Sequence, residues 1–324
     1  MKIRHYAYYL LISLALRCSL ITAEALIFDL GGVLVDTNTR ASFQHMGLMN
    51  ILQYGFHLRI NPFSLSNQIK MTFFEILEKT ALFYNLDTLT PLDHAYDEKG
   101  RALPYLMRAW LQGTMTCHEI RKLLNNAIAL HPEWFKHNSE QRITKNLIKM
   151  VFTPEYFVAT RKIHSAGIDF IKKCKLQGHS IYALSNWDAE SFNLLKEKYP
   201  ELFDLFDGIM ISGDSHMLKP QASFYQSLLD RYNLDPQHCW FIDDQKENVH
   251  AAQQLGINGI VHPLCFRKLA HTIKAHSKSV MRRENLNNSG ISVSNTKNTS
   301  SAMIDGENIS LADSTKYNCR PANA

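Results

Sequence analysis

ALIFDLGGVLVDTN, residues 25–38, decides how the rest of the chain is read. Four apolar residues lead to Asp29, Leu30-Gly31-Gly32 follow, and a second apolar run ends at Asp36. A short apolar run closed by a carboxylate and two glycines predicts a buried strand entering a tight loop. A carboxylate at such a place needs a partner or a task, because taking an isolated charge out of water is costly.

Four further runs of the same kind lie downstream: SIYALS (180–185), DGIMIS (207–212), CWFIDD (239–244) and GINGIVH (256–262). Amphipathic helical patterns over about 189–198, 221–232 and 246–255 separate them. Strand and helix therefore alternate, which predicts an α/β fold with a Rossmann-like, doubly wound parallel sheet. The first strand is separated from the others by a long stretch, so the core is expected to comprise residues 24–38 and 158–277.

The intervening residues 39–157 read as an inserted helical cap domain. Helical periodicity is clear over about 68–86 and 103–111, and Gly113 breaks it. Thr116-Cys117-His118-Glu119 has the form of a capping box opening another helix. His45, His94, His118, His131 and His137 have no metal-ligand spacing, and Trp110 and Trp134 read as packing residues.

The ends differ in character. Residues 1–23 combine a basic start, an apolar stretch from Tyr8 to Leu16 and small residues at Thr22 and Ala23, the pattern of a secretory signal peptide. On that reading the mature protein is secreted or periplasmic and retains no membrane span. The alternative is an extra N-terminal helix on a cytoplasmic protein. Residues 278–324 are rich in Asn, Ser and Thr with few large apolar side chains, and are expected to form a disordered tail.

Composition narrows the function classes. With 324 residues, 45% hydrophobic and 20% charged, the chain has material for one or two packed domains. Its net charge of +5 includes Lys2, Arg4 and Arg17 from the first 23 residues, and the remaining charge is too small for a nucleic-acid footprint. The six cysteines, at 18, 117, 174, 239, 265 and 319, show no metal-type spacing and read as ordinary thiols, Cys174 and Cys239 as small core hydrophobes.

In an open parallel sheet, ligands bind beyond the carboxyl ends of the strands. Asp29, Ser185-Asn186, Lys219-Pro220 and Asp243-Asp244 all fall at or just after such ends. This ordered set of four motifs resembles that of the haloacid dehalogenase-like hydrolase superfamily. The similarity runs from Ala25 to about His262 and is strongest in LSNWDAESF (184–192), FDLFDGIMISGDSHMLKP (203–220) and FIDDQKENVHAAQQLGI (241–257). The resemblance is to the phosphatase branch, with a helical cap between the first and second motifs.

It implies a Mg²⁺-dependent phosphomonoester hydrolase acting on a small phosphorylated metabolite such as a sugar phosphate. Asp29 would be the nucleophile, forming an aspartyl phosphate that water then hydrolyses. Ser185, the backbone N–H groups of Asn186, Leu30 and Gly31, and the Lys219 ammonium would hold the phosphoryl oxygens. Asp29, Asp243, Asp244 and the Gly31 carbonyl offer hard oxygen ligands suited to Mg²⁺. One divalent cation and Lys219 together cancel the three carboxylate charges, so a phosphate can approach. Asn248 is placed either to reach back and orient the acids or to serve as a polar first-turn residue, and Asp188 either to open the next helix, the favoured role, or to touch the substrate.

One position departs from the family pattern. Most phosphatases of the superfamily carry Asp-x-Asp in the first motif, and Gly31 stands where the second aspartate would donate a proton to the leaving group. Such help is commonly worth about 10²–10⁴ in rate. Three readings follow: a phosphatase that takes its proton from a cap residue or water or whose leaving group needs little protonation, a catalytically weak phosphate-binding or interaction module, or a 2-haloacid dehalogenase. The paired acids Asp243-Asp244 argue against the last. Gly31 itself could instead serve a positive φ or a close backbone approach.

Overall fold

The computed structural model describes residues 24–59, 62–86, 94–97, 99–262 and 265–273. The readings of residues 1–23 and 278–324 lie outside them. Among the described residues, no helix is long and apolar enough to cross a membrane.

The described residues contain seven strands: β1 Ala25–Phe28, β2 Val35–Thr37, β3 Arg161–Ile163, β4 Ser180–Ser185, β5 Gly208–Ile211, β6 Cys239–Asp243 and β7 Asn258–Val261. Five of them make one parallel sheet in the order β5-β4-β1-β6-β7. This is the expected doubly wound arrangement, with β1 at the centre and the chain reversing direction across the sheet between β1 and β6. The five strands are those predicted from the sequence: β4 keeps its predicted limits, and the other four are shorter by one or two residues at one or both ends.

The sheet is buried on both faces because the middles of its strands are apolar on alternate and intervening positions alike, and the two-residue period sorts the side chains between two cores. Leu26 and Phe28 of β1, Ile181 and Ala183 of β4, and Trp240 and Ile242 of β6 enter one cluster. Ala25 and Ile27, Tyr182 and Leu184, and Cys239 and Phe241 enter the other. Helices Ala189–Lys198, Ala222–Tyr232 and Lys246–Gln254 follow β4, β5 and β6, close to their predicted limits.

Most of the described residues between Thr39 and Ala159 are helical, and they build their own cluster around Tyr54, Leu77, Leu106, Trp110, Leu124, Ile143 and Phe152. The capping box forms as expected: Thr116 accepts from the Glu119 N–H (3.2 Å) and Glu119 accepts from the Thr116 N–H (2.8 Å). The short antiparallel ribbon of β2 and β3 was not foreseen. It joins the two crossings between sheet and insert, with Thr37 opposite Arg161 and Asp36 opposite Lys162.

The insert docks through the turn after helix Tyr105–Leu111. The Gln112 Nε2 donates to the His216 carbonyl (2.7 Å), the Ser212 hydroxyl donates to the Leu111 carbonyl (2.5 Å), and the Cys117 N–H donates to Glu190 (3.3 Å). Gly113 makes the approach possible: its φ is 70°, and a Cβ there would strike the Gly213 carbonyl. Cys117, Cys174 and Cys239 are free and buried. Cys265 departs from the reading of ordinary thiols, being disulfide-bonded.

His262 ends the sheet. Its N–H donates to the Asp243 carbonyl (2.8 Å), its ring lies 4.8 Å from Phe266, and its Nδ1 is buried without a partner. Burial, with a smaller contribution from His164, pushes its pKa down to about 4. An unfolded histidine titrates near 6.5, so as pH falls the unfolded chain takes up the proton first. The stability tied to the neutral ring is complete above about pH 6.5 and drains away between there and pH 4, by on the order of 2–3 kcal/mol. Urea unfolding at pH 7.5 and 4.5 should show a smaller acid loss in His262→Gln than in the parent protein. Equal losses would mean that other groups carry the acid sensitivity.

Candidate active site

The carboxyl ends of β1, β4 and β6 meet at the centre of the sheet, and each delivers a polar residue there. Asp29 continues β1, its N–H donating to the Ile242 carbonyl (2.8 Å), so the nucleophile candidate is anchored by the sheet ladder. The Ser185 hydroxyl at the end of β4 donates to Asp29 Oδ1 (2.6 Å). Lys219 arrives from the loop after β5 and reaches both Asp29 Oδ1 (2.9 Å) and Asp243 Oδ2 (2.7 Å), with 1% of its side chain exposed.

The loops are tied to each other as well. Asn186 Nδ2 donates to the Lys219 carbonyl (3.0 Å) and the Lys219 N–H donates to Asn186 Oδ1 (2.8 Å), so the Asn186 side chain fixes the lysine backbone. Asp243 accepts from the Gln245 N–H (2.8 Å) and, on both oxygens, from Asn248 Nδ2 (3.1 Å). Asn248 thus reaches back as expected. Asp188 caps helix Ala189–Lys198 by accepting from the Ser191 N–H (2.8 Å), also as expected.

The electrostatics point to a missing positive charge. Burial pushes the Asp29 carboxyl upward; Lys219 opposes this, and the nearby Asp243 adds to it. Burial lowers the Lys219 pKa, but Asp243 and Asp29 outweigh it, so the ammonium stays charged. Asp244, pushed up to about 8 by burial and then by Asp29 and Asp243, has a buried Oδ1 with no hydrogen-bond partner. With all three acids ionised, one ammonium would leave an excess of negative charge in a low-dielectric site, and the raised Asp244 pKa is how the cation-free site relieves it. Ligand oxygens of Asp29, Asp243 and Asp244 lie within 4.8 Å of one another, and the unpartnered Asp244 oxygen is the atom a cation would satisfy. The donor set, all oxygen and largely anionic, fits a hard divalent cation.

Asp29 and Asp244 line a cavity of about 490 Å³ whose walls are mixed, an aromatic and aliphatic group standing among polar side chains, while Asp243 lies fully buried behind them. Trp110 and Leu111 come from the insert, Phe157 from helix Pro154–Ala159, Trp187 from the loop after β4 and Val35 from β2. Trp110 and Phe157 pack edge to face at 5.2 Å, and Phe157 and Trp187 at 5.8 Å. Trp110 is a packing residue, as read from the sequence, and it also faces the cavity. Arg161, with its guanidinium 4.0 Å from the Phe157 ring centre, was missed. Its only sequence signal was a basic residue among others, since β3 is too short to read.

The two glycines of the opening stretch divide their roles differently from the sequence expectation. Gly32 has the positive φ, 73°, and a Cβ on it would land on the Asp244 carboxylate. Gly31 has neither constraint: its φ is not left-handed, and an added Cβ would meet only Trp187 Cζ3 at 3.9 Å. The space for a second acid is therefore present, and the acid is not.

The model of the haloacid dehalogenase-like hydrolase family matches residues 23–256. The chain belongs to that family. A stretch of 90 residues is 38% identical to a sesquiterpene phosphatase of Aspergillus oryzae, covering 28% of this chain and 45% of that protein. Another of 81 residues is 31% identical to a drimenol cyclase of Aspergillus calidoustus, covering 25% of this chain and 15% of that one. The chain thus matches less than half the length of either curated relative. Among solved structures, a family enzyme of Bacteroides thetaiotaomicron has a TM-score of 0.45 at 18% identity, over 73% of this chain and 92% of that one. An L-2-haloacid dehalogenase of Xanthobacter autotrophicus has a TM-score of 0.40 at 14% identity, over 74% and 77%.

Gly31→Ala and Gly32→Ala should separate in thermal denaturation. The first should shift stability by less than about 1 kcal/mol, and the second should destabilise by more than that, since it adds left-handed strain to a clash with Asp244. Equal effects would contradict the assignment of the constraint to Gly32.

Proposed function

We propose that this hydrolase is a divalent-metal-dependent phosphomonoesterase whose nucleophile is Asp29. The observation that carries the reading is the convergence of Asp29, Ser185, Lys219 and Asp244 on one cavity, with Asp243 buried behind them on Lys219 and a single buried ammonium against three carboxylates. Similarity to a sesquiterpene phosphatase over 90 residues supports phosphoryl chemistry, and the aromatic wall favours a substrate with an apolar body over a sugar.

In the proposed reaction the Asp29 carboxylate attacks phosphorus in line and becomes an aspartyl phosphate, which water hydrolyses. The Ser185 hydroxyl holds the Asp29 carboxylate in place and, with the Asn186 and Gly31 N–H groups, receives the phosphoryl oxygens. Lys219 fixes Asp29 against Asp243 and supplies positive charge to the incoming anion. Asp243, already satisfied by Lys219, Gln245 and Asn248, positions the ammonium and the neighbouring acids. Asp29, Asp243, Asp244 and the Gly31 carbonyl would hold Mg²⁺, which supplies Lewis-acid neutralisation of the phosphate charge when bound. The lack of an acid at Gly31 favours a second reading, a phosphate-binding module with little turnover.

Phosphate release from a panel of alkyl and aryl phosphomonoesters, with and without Mg²⁺, separates the two. Metal-dependent release that Asp29→Asn lowers by more than about 10³-fold is expected. Binding without release would favour the module, and chloride release from 2-haloacids without metal would favour the dehalogenase. Gly31→Asp should accelerate alkyl esters by about 10²-fold or more and activated aryl esters far less, because only the alkoxide needs a proton.

The raised Asp244 pKa sets a pH dependence for metal binding. Below about pH 8 a proton occupies Asp244 in the cation-free site and must be displaced, so Mg²⁺ affinity should rise from pH 6 to pH 8. Isothermal titration at the two pH values checks this, and Asp244→Asn should remove most of the difference.

A further inference from the structure

Two cations line the cavity, Lys219 and Arg161, and only the first has carboxylate partners among the described residues. The Arg161 Nη1 donates to the Thr37 hydroxyl, its guanidinium stacks over Phe157, and its Nε is enclosed with no hydrogen-bond partner. The cavity's nearby acid, Asp36, lies opposite Lys162 in the ribbon and 3.6 Å from His164 Nε2. Burial pulls the Arg161 pKa down to about 10 with no acid to offset it. A cation held this way, in a wall of aromatic rings, is expensive unless a ligand brings its counter-ion.

Its location says which part of a ligand that is. The phosphoryl end of the cavity is defined by the strand ends carrying Asp29 and Ser185 and the loop carrying Lys219. Arg161 stands on the β2–β3 ribbon beside Phe157, among the residues left to surround the leaving group. Gly31 offers no proton donor to a leaving group, and the Trp187 ring stands 3.9 Å from where a Cβ on Gly31 would lie. An alkoxide would leave badly there. A phosphate monoester, with its second pKa near 6, needs no proton to leave, and its charge matches the guanidinium.

Resting on the phosphohydrolase reading, we propose that Arg161 is a specificity-determining residue that binds a second phosphate on the leaving-group side, so that the preferred substrates are apolar-tailed diphosphates cleaved at the anhydride. In the first step a bond forms between Asp29 Oδ and the terminal phosphorus, and the bond from that phosphorus to the bridging oxygen breaks. The electron pair stays on the bridging oxygen, which departs as the tail's monophosphate paired with Arg161. In the second step water adds to phosphorus, the Asp29–phosphorus bond breaks with its pair returning to the carboxylate, and a water proton passes to solvent. One water is consumed and no redox partner is needed.

The test compares decyl diphosphate with decyl monophosphate on the full chain, reading kcat/KM by phosphate release. The parent protein should prefer the diphosphate by about tenfold or more, and Arg161→Gln should reduce that ratio by about tenfold, with Arg161→Lys between them. An unchanged ratio in Arg161→Gln, or a parent protein that prefers the monophosphate, would overturn the proposal. Thermal melts establish that the variants fold; if Arg161→Gln does not, the ratio in Arg161→Lys decides. Isothermal titration with decyl methylenediphosphonate against decyl phosphonate gives the same ratio without turnover. A parent protein that releases no phosphate from any ester would fail the hydrolase reading, and the binding ratio would still support or overturn the role of Arg161.

Discussion

Everything at the centre of this molecule depends on one buried ammonium. Lys219 sits between Asp29 and Asp243 at 2.9 and 2.7 Å, almost wholly out of water. A lysine so placed is tolerable only because two carboxylates face it, and each of those is tolerable only because the lysine, Ser185 and Asn248 complete its hydrogen bonds. Removing one member would leave the others as uncompensated buried charges. The network therefore constrains three strand ends and two loops to a single arrangement, and that arrangement leaves Asp244 with an oxygen that the protein itself does not satisfy.

The sheet explains why such a network forms at this place. In the order β5-β4-β1-β6-β7, the strand carrying Asp29 is flanked by the strands carrying Ser185 and Asp243. Residues 156 and more positions apart are thus brought into hydrogen-bond contact by register alone, Asp29 to Ser185 among them. The insert between β1 and β4 then closes the open side. Its docking turn, held by Gln112, Leu111 and Cys117, brings Trp110 and Leu111 over the acids, and the β2–β3 ribbon brings Arg161.

The parts legible in the sequence were those with strong local signals. Runs such as ALIF and CWFI are apolar at every position, and only a strand buried on both faces makes such a run both short and continuous. The acids, serine and lysine at their ends could be collected because the sheet topology is implied by the alternation. The capping box at Thr116 was legible for the same reason, its two reciprocal hydrogen bonds being local. What could not be read depends on tertiary placement. The strand RKI has three residues and no periodicity, so neither the ribbon nor the position of Arg161 follows from it. The assignment of the left-handed turn to Gly32 rather than Gly31 depends on where Asp244 packs, a contact across 212 residues of chain.

The central claim is that Asp29 is the group that takes the phosphoryl group. Acid quenching of the protein during incubation with a radiolabelled phosphomonoester, followed by peptide mapping, tests it most directly. The account predicts base-labile label on the peptide containing residues 25–38, at Asp29, formed no more slowly than phosphate is released. Steady phosphate release with no label at Asp29, or with label on another residue, would contradict it.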